Sequence, residues 1–200
     1  MENQNVIENA IIFAVVAHSN QVRKGKKSEP AIVHPLAVGE ILRSYGADED
    51  VIVAGILHDV PEDSKYTLED IEKIFGKDVA NLVDVASELD KTMTWEERKE
   101  HKIKKMKNKP LREKLVVVAD KISNIEDLGR LFKEKGYRDF SDFKRGEEKQ
   151  EWYYRNIYKS LVYNEDIKNP LFKRLEEGIN NVFGRTMEDY FFKTEMQIDK

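Results

Sequence analysis

Apolar and polar positions alternate at helical spacing along most of this chain. Ile7, Ile11, Ala14 and His18 follow at steps of four, three and four, so they share one helix face, and His18 ends an apolar stripe. Residues 21–30 carry no apolar period and read as a basic loop containing Gly25. Residues 36–45 predict a second helix, stopped at Gly46. Residues 51–57 are almost wholly apolar, the pattern of a helix buried on all sides, and they run straight into His58-Asp59. Pro61 then disfavours further helix, because it lacks an amide donor and crowds the preceding turn.

Thr67 with Asp70, and more cleanly Thr94 with Glu97, have the spacing of capping boxes that open helices. Pro110 suits the first turn of another helix, which runs through Leu115-Val116-Val117-Val118-Ala119 to Asp120. That run is β-rich. It reads as helix because the amphipathic period continues past Asp120 through Asn124 and Leu128. Two more helices are predicted over 141–162 and 170–183, and the residues from Arg185 on read as a loosely docked tail. With no internal repeat or linker, the expectation is one all-α domain over 1–184 followed by a tail, 185–200.

Composition narrows the function classes. The chain has 200 residues, enough for one sizeable core, and its 36% of charged residues fits helices with ion-paired outer faces. The absence of cysteine removes disulfides, zinc–thiolate sites and cysteine nucleophiles. The first residues lack the basic start of a secretory signal, and no apolar run approaches the roughly 18 residues of a membrane span. The expected location is cytoplasmic, with no membrane partner. The net charge of −4 argues against a general nucleic-acid binder. Basic clusters at Arg23-Lys24, Lys26-Lys27 and Arg98-Lys99 with Lys102, Lys104 and Lys105 are either solvated surface or a means of neutralising a small, highly charged ligand.

Three ionisable clusters lie at the ends of apolar segments: His34-Pro35, His58-Asp59 and Asp120. Charged groups beside a core are costly unless paired or bound to metal. Imidazoles and carboxylates together form a normal ligand shell for a divalent first-row metal, with positions left for water and substrate. Such a metal lowers the pKa of bound water and polarises a phosphoryl oxygen. Each residue also has a plainer reading: His34 as a turn histidine, Asp120 as an ion-pair or cap residue, Glu62-Asp63 as helix-start acidity, Arg23-Lys24 as solvated loop. His101 lies in a lysine-rich stretch and reads as surface, His18 as a packed core histidine, and Trp152-Tyr153-Tyr154 as core.

A succession of short motifs goes further. In order, these are Ala17-His18-Ser19-Asn20-Gln21-Val22-Arg23-Lys24, Ile32-Val33-His34-Pro35, Leu57-His58-Asp59-Val60-Pro61-Glu62-Asp63, Thr94-Trp95-Glu96-Glu97-Arg98-Lys99 and Ala119-Asp120-Lys121-Ile122-Ser123-Asn124. Over positions 10–160 the set resembles the hydrolase domain of the RelA/SpoT family and the single-domain small alarmone hydrolases, which belong to the HD superfamily. The resemblance implies an all-α HD-type helical bundle and a metal, typically manganese, held by His34, His58, Asp59 and Asp120. It implies that Glu62 and Asp63 position or deprotonate the attacking water. It implies that Arg23, Lys24, Asn124, Arg98 and Lys99 contact the substrate. The substrate so implied is a small anionic nucleotide, guanosine 3′-diphosphate 5′-di- or triphosphate, cleaved to pyrophosphate. Ala31 stands where a tyrosine is usual and the loop of Gly25, Lys26, Lys27 and Ser28 is long. Hydrolysis of another nucleotide or phosphoester on the same scaffold is therefore the alternative. A non-catalytic binding module would have lost a ligand or Glu62-Asp63, and none is lost. The sequence leaves the oligomeric state open.

Overall fold

Eleven helices and no strand are found among the described residues of the computed structural model, which covers 5–23, 29–88, 90 and 92–198, with side chains to residue 192. They are α1 Val6–Ala17, α2 Val33–Tyr45, α3 Glu49–Leu57, α4 Val60–Asp63, α5 Leu68–Phe75, α6 Lys77–Ala86, α7 Trp95–Lys107, α8 Leu111–Lys135, α9 Gly146–Leu161, α10 Pro170–Phe183 and α11 Met187–Ile198. The all-α expectation holds.

The 25-residue α8 is the central rod, with α2, α3, α6, α9 and α10 packed around it. The β-rich run before Asp120 lies inside this helix. Val116, Val117, Val118 and Ala119 are all buried, and the stripe continues through Ile122, Ile125, Leu128 and Phe132. Gly136 ends the helix in the left-handed conformation, φ 75°.

Helix α3 is buried throughout from Val51 to Leu57, as the uniform apolarity requires. Asp48 opens it by accepting from the Val51 amide at 3.1 Å. Burying each large apolar side chain contributes roughly 1.5–3 kcal/mol, so this helix firmly anchors the residues at its C-terminal end. The chain then turns at His58-Asp59 and enters the single helical turn α4, where the sequence predicts an end to helix at Pro61. Pro61 is tolerated there because the first amides of a helix need no intrahelical acceptor. Both predicted capping boxes form, Thr67 with Asp70 and Thr94 with Glu97.

Three boundaries differ from the sequence reading. Helix α2 begins at Val33 rather than Leu36, which places His34 and Pro35 in its first turn. Helix α9 begins at Gly146 rather than Ser141. Asp139 accepts from the Ser141 amide at 2.9 Å, and Phe140 packs on Phe132, Phe143 and Phe183, so residues 140–143 fold as an aromatic turn onto the core. The residues from Arg185 on, read as a tail, include α11, and their start is tied down. Arg185 pairs with Glu151 at 2.5 Å and Met187 is buried. His101 is exposed, and Tyr153 and Tyr154 are buried, as expected.

Close approach of α2 to α3 sets the spacing of the two helices that bear His34 and His58. A Cβ on Gly39 would meet Ile56 Cγ1 at 2.5 Å, and one on Gly55 would meet Leu42 Cδ1 at 2.5 Å. Overpacking of this kind costs about 1–3 kcal/mol. In a chain of this size each kcal/mol lowers Tm by about 2–4 °C. Gly55→Ala is therefore expected to melt several degrees below the parent in a calorimetric scan, and an unchanged melting point would show that the two helices can part freely.

Candidate metal centre

His34 enters from the first turn of α2, His58 from the end of α3, and Asp120 from the middle of α8. Their ligand atoms, all on buried residues, lie within 4.8 Å of one another. The imidazole centroids are 5.2 Å apart, edge to face. His34 Nε2 stands 3.1 Å from Asp120 Oδ1. Its other nitrogen, Nδ1, lies 2.9 Å from the Ser123 hydroxyl. His58 Nδ1–H donates to the Gly55 carbonyl at 2.7 Å, which directs Nε2 into the centre.

The buried His58 Nε2 has no hydrogen-bond partner. Asp59 Oδ1 is 3.1 Å away and Asp120 Oδ1 3.8 Å away, neither in hydrogen-bonding geometry. A buried ring nitrogen without a hydrogen-bond partner is a costly arrangement in a folded protein. Two imidazole nitrogens and a carboxylate at this separation fit a divalent transition metal. Asp59 sits at the edge of the group, with Oδ2 3.8 Å from His34 Nε2. Without a cation between them, Asp59 and Asp120 repel.

The titration pattern shows how strongly the site seeks positive charge. Burial alone would lower His58, yet the charges of Asp59 and Asp120 outweigh it and push the imidazole up to about 9. Burial would raise Asp59, but His58 holds it down to about 2. Asp120 is held well below the ordinary carboxylate range; burial opposes this, and Lys121 and His34 prevail. Protons here stand where a divalent ion would compete for the same ligand atoms.

Around the centre the other predicted residues fall into two groups. One is on the α8 side. Asn124 donates to Asp120 Oδ1 at 2.5 Å and accepts from Arg23 Nη2 at 3.0 Å. Arg23 also pairs with Asp127 Oδ2 at 2.7 Å. Arg23 is held near the centre by a strip in which Arg23 N donates to Glu29 O and Ala31 N to Gln21 O, about the Val22–Pro30 bridge. Lys24 lies outside the described residues.

The second group is on the α4 side. Glu62 Oε1 accepts from the Glu88 amide at 2.7 Å. Burial raises the Glu62 carboxyl above its ordinary value; the Glu88 amide opposes this, and the Asp59 charge adds to it. The Asp63 carbonyl accepts from Gln21 Nε2 at 2.6 Å, and His18 Nδ1 contacts Gln21 Oε1 at 2.9 Å, so His18 braces this turn from behind. Arg98 and Lys99 converge on the Glu88 carboxylate, Arg98 Nε at 3.6 Å and Lys99 Nζ at 2.7 Å.

Five participants were not singled out from sequence: Gln21, Glu88, Lys121, Ser123 and Asp127. Three of them were within reach. Asp120, Ser123, Asn124 and Asp127 stand at steps of three, one and three on one helix, hence on one face. Lys121 directly follows Asp120 and donates to its Oδ2 at 2.7 Å.

Comparison with known proteins identifies the family. The profile of a family described as HD domain matches residues 10–141. A Xenopus tropicalis protein, "Guanosine-3′,5′-bis(diphosphate) 3′-pyrophosphohydrolase MESH1", is 40% identical over 127 residues, 62% of this chain and 70% of that protein. A Synechocystis protein, "Probable guanosine-3′,5′-bis(diphosphate) 3′-pyrophosphohydrolase", is 38% identical over 135 residues, but these make up only 17% of its length. Among solved structures, lmo0812 from Listeria monocytogenes EGD-e superposes with a TM-score of 0.70 at 38% identity, covering 79% of this chain and 98% of that one. A structure described as "A metazoan ortholog of SpoT hydrolyzes ppGpp and plays a role in starvation responses" superposes with a TM-score of 0.75 at 27% identity, covering 90% of this chain and 97% of that one.

Ser123→Ala removes the partner that fixes the His34 ring while leaving every ligand atom in place. Loss of such a support typically weakens metal affinity by about 10–100-fold. Titration of the metal-free protein with Mn2+ is expected to show that weakening with an unchanged helical circular-dichroism spectrum. Parental affinity would remove Ser123 from the centre.

Proposed function

Because this chain belongs to the HD-domain family, matched over residues 10–141, we propose that it is a metal-dependent phosphohydrolase acting on guanosine 3′-diphosphate 5′-di- or triphosphate. It would release GDP or GTP and pyrophosphate. Manganese as the ion and the cytoplasm as the compartment are parts of the same proposal. The observation that carries it is the buried His34, His58 and Asp120 group, with His58 Nε2, which has no hydrogen-bond partner, turned into it. The relatives named for 3′-pyrophosphohydrolase activity support the choice of substrate.

His34, His58 and Asp120, with Asp59 completing the set, would hold the ion. When bound, it supplies a Lewis acid that acidifies water and polarises a phosphoryl oxygen. The chain's own groups do the rest. Glu62, whose carboxyl burial raises above its ordinary value, is the stronger base for it and is suited to take a proton from the attacking water. Asp63 follows it on the same turn and helps to orient that water. Water oxygen adds to the phosphorus nearest the sugar, the bond from that phosphorus to the 3′ oxygen breaks, and pyrophosphate departs as the 3′ oxygen takes a proton.

Arg23 on one side, and Arg98 and Lys99 on the other, bring positive charge to the two ends of a polyphosphate substrate, and Lys24, next to Arg23 in sequence, is assigned to the same role. Asn124 joins the Arg23 side to the centre, since it contacts both Arg23 and Asp120. Charge neutralisation at prearranged groups is the main source of rate in this scheme.

The direct test incubates the Mn2+-loaded protein with guanosine 3′-diphosphate 5′-diphosphate and reads pyrophosphate against orthophosphate. Pyrophosphate with GDP is the expected result; orthophosphate from many monoesters, or no turnover, would overturn the substrate assignment. Asp59→Ala is expected to lose both bound metal and turnover, and a folded, fully active variant would remove Asp59 from the ligand set. Glu62→Gln should keep its metal while kcat falls by about 100-fold or more, the scale of general-base help. A kcat near the parent's would place the base elsewhere.

A further inference from the structure

Tyr153 sits on α9 with 3% of its surface exposed, and its hydroxyl has no hydrogen-bond partner. By pattern it is a core residue. Its neighbours are not those of an ordinary core ring. The Lys99 ammonium lies 4.6 Å from the ring centroid and the Lys121 ammonium 5.4 Å from it. Trp95 packs against it edge to face at 6.1 Å.

Each lysine carries a carboxylate of the site. Lys121 donates to Asp120 Oδ2 at 2.7 Å while Oδ1 of the same carboxylate faces His34 Nε2 at 3.1 Å. Lys99 donates to both oxygens of Glu88, at 2.7 and 3.0 Å. The Glu88 amide in turn donates to Glu62 Oε1 at 2.7 Å. Lys102 fixes the same segment from below, donating to the carbonyls of Val85 and Ala86 at 2.6 and 2.5 Å. Two half-buried ammonium groups beside one ring would repel each other. The electron-rich ring face attracts both, and more strongly in a dry setting than at a surface.

We infer that Tyr153 is a positioning residue: its ring holds Lys99 and Lys121, and through them orients Asp120 at the metal end of the site and the Glu88 segment that carries Glu62 at the water end. This rests on the metal and acid–base roles proposed above. It assigns the work to the ring and none to the hydroxyl, which has no partner. In this role the ring acts through Lys99 and Lys121. It sets the geometry of the groups assigned above to metal and water.

The test compares Tyr153→Phe, which keeps the ring, with Tyr153→Leu, which keeps apolar bulk but lacks a π face. Mn2+ affinity is measured on metal-free protein, and kcat and KM on the Mn2+-loaded protein with guanosine 3′-diphosphate 5′-diphosphate. Tyr153→Phe is expected within about twofold of the parent in all three quantities, since the cation–ring contacts survive. Tyr153→Leu is expected to weaken Mn2+ binding about 5-fold or more and to lower kcat about 10-fold, with KM within about threefold, the scale of a lost outer support. In a Lys121→Met background the Leu substitution should have no further effect on Mn2+ affinity, whereas a purely structural role would give additive losses.

If Tyr153→Leu does not fold, trifluorinated phenylalanine at position 153 keeps the shape and removes most of the ring's attraction for cations, and the same losses are expected. Equal losses for Phe and Leu, or none for Leu and the fluorinated ring, would overturn the inference. The Mn2+ titration needs no substrate. A parent protein inert toward the nucleotide would sink the functional reading, and the affinity comparison would still decide the role of Tyr153.

Discussion

Charge carried into the interior is the constraint on which this structure turns. A helix apolar on every side, α3, drives into the middle of the bundle and delivers His58 and Asp59 at its end. There they meet Asp120, carried in by the equally buried centre of α8. Hydrophobic burial fixes the positions and the ionisable groups must accept them. The response is visible in His58, pushed up to about 9, and in Asp59, held down to about 2. In functional terms the fold is a device for holding two imidazoles and two carboxylates closer than they would settle in water.

Everything near the centre serves that arrangement. Gly39 and Gly55 let α2 and α3 approach closely enough for the two histidines to converge. Ser123 and the Gly55 carbonyl hold the outer nitrogens of the imidazoles, so the inner nitrogens face the carboxylates of Asp59 and Asp120. Around them runs a ring of ion pairs: Lys121 to Asp120, Arg23 to Asp127, Lys99 to Glu88. These pairs keep basic groups concentrated beside the centre without letting them occupy it. A polyanionic substrate would find cations already gathered beside the centre.

Much of this was legible from the residues. Uniform apolarity over residues 51–57 identified the buried helix, and the continued period past Asp120 separated helix from strand in a Val-rich run that local propensity alone would misassign. Both capping boxes were readable because their chemistry is local. What escaped depends on tertiary contacts. The helix predicted from Ser141 is displaced to Gly146 because Phe140 and Phe143 are claimed by the core. Glu88 gave no sequence signal, since its role arises from Lys99 and Glu62 meeting it from separate elements. Tyr153 was correctly read as core, yet periodicity cannot report that two ammonium groups lie beside a core ring.

The measurement that bears most directly on the central claim is anomalous diffraction from crystals soaked in Mn2+, collected near the manganese edge. The account predicts one strong peak within coordinating distance of His34 Nε2, His58 Nε2 and Asp120, with the His34 and His58 Nδ1 atoms still turned to Ser123 and the Gly55 carbonyl. A peak at another place on the molecule, or an empty centre flanked by rotated imidazoles, would contradict it.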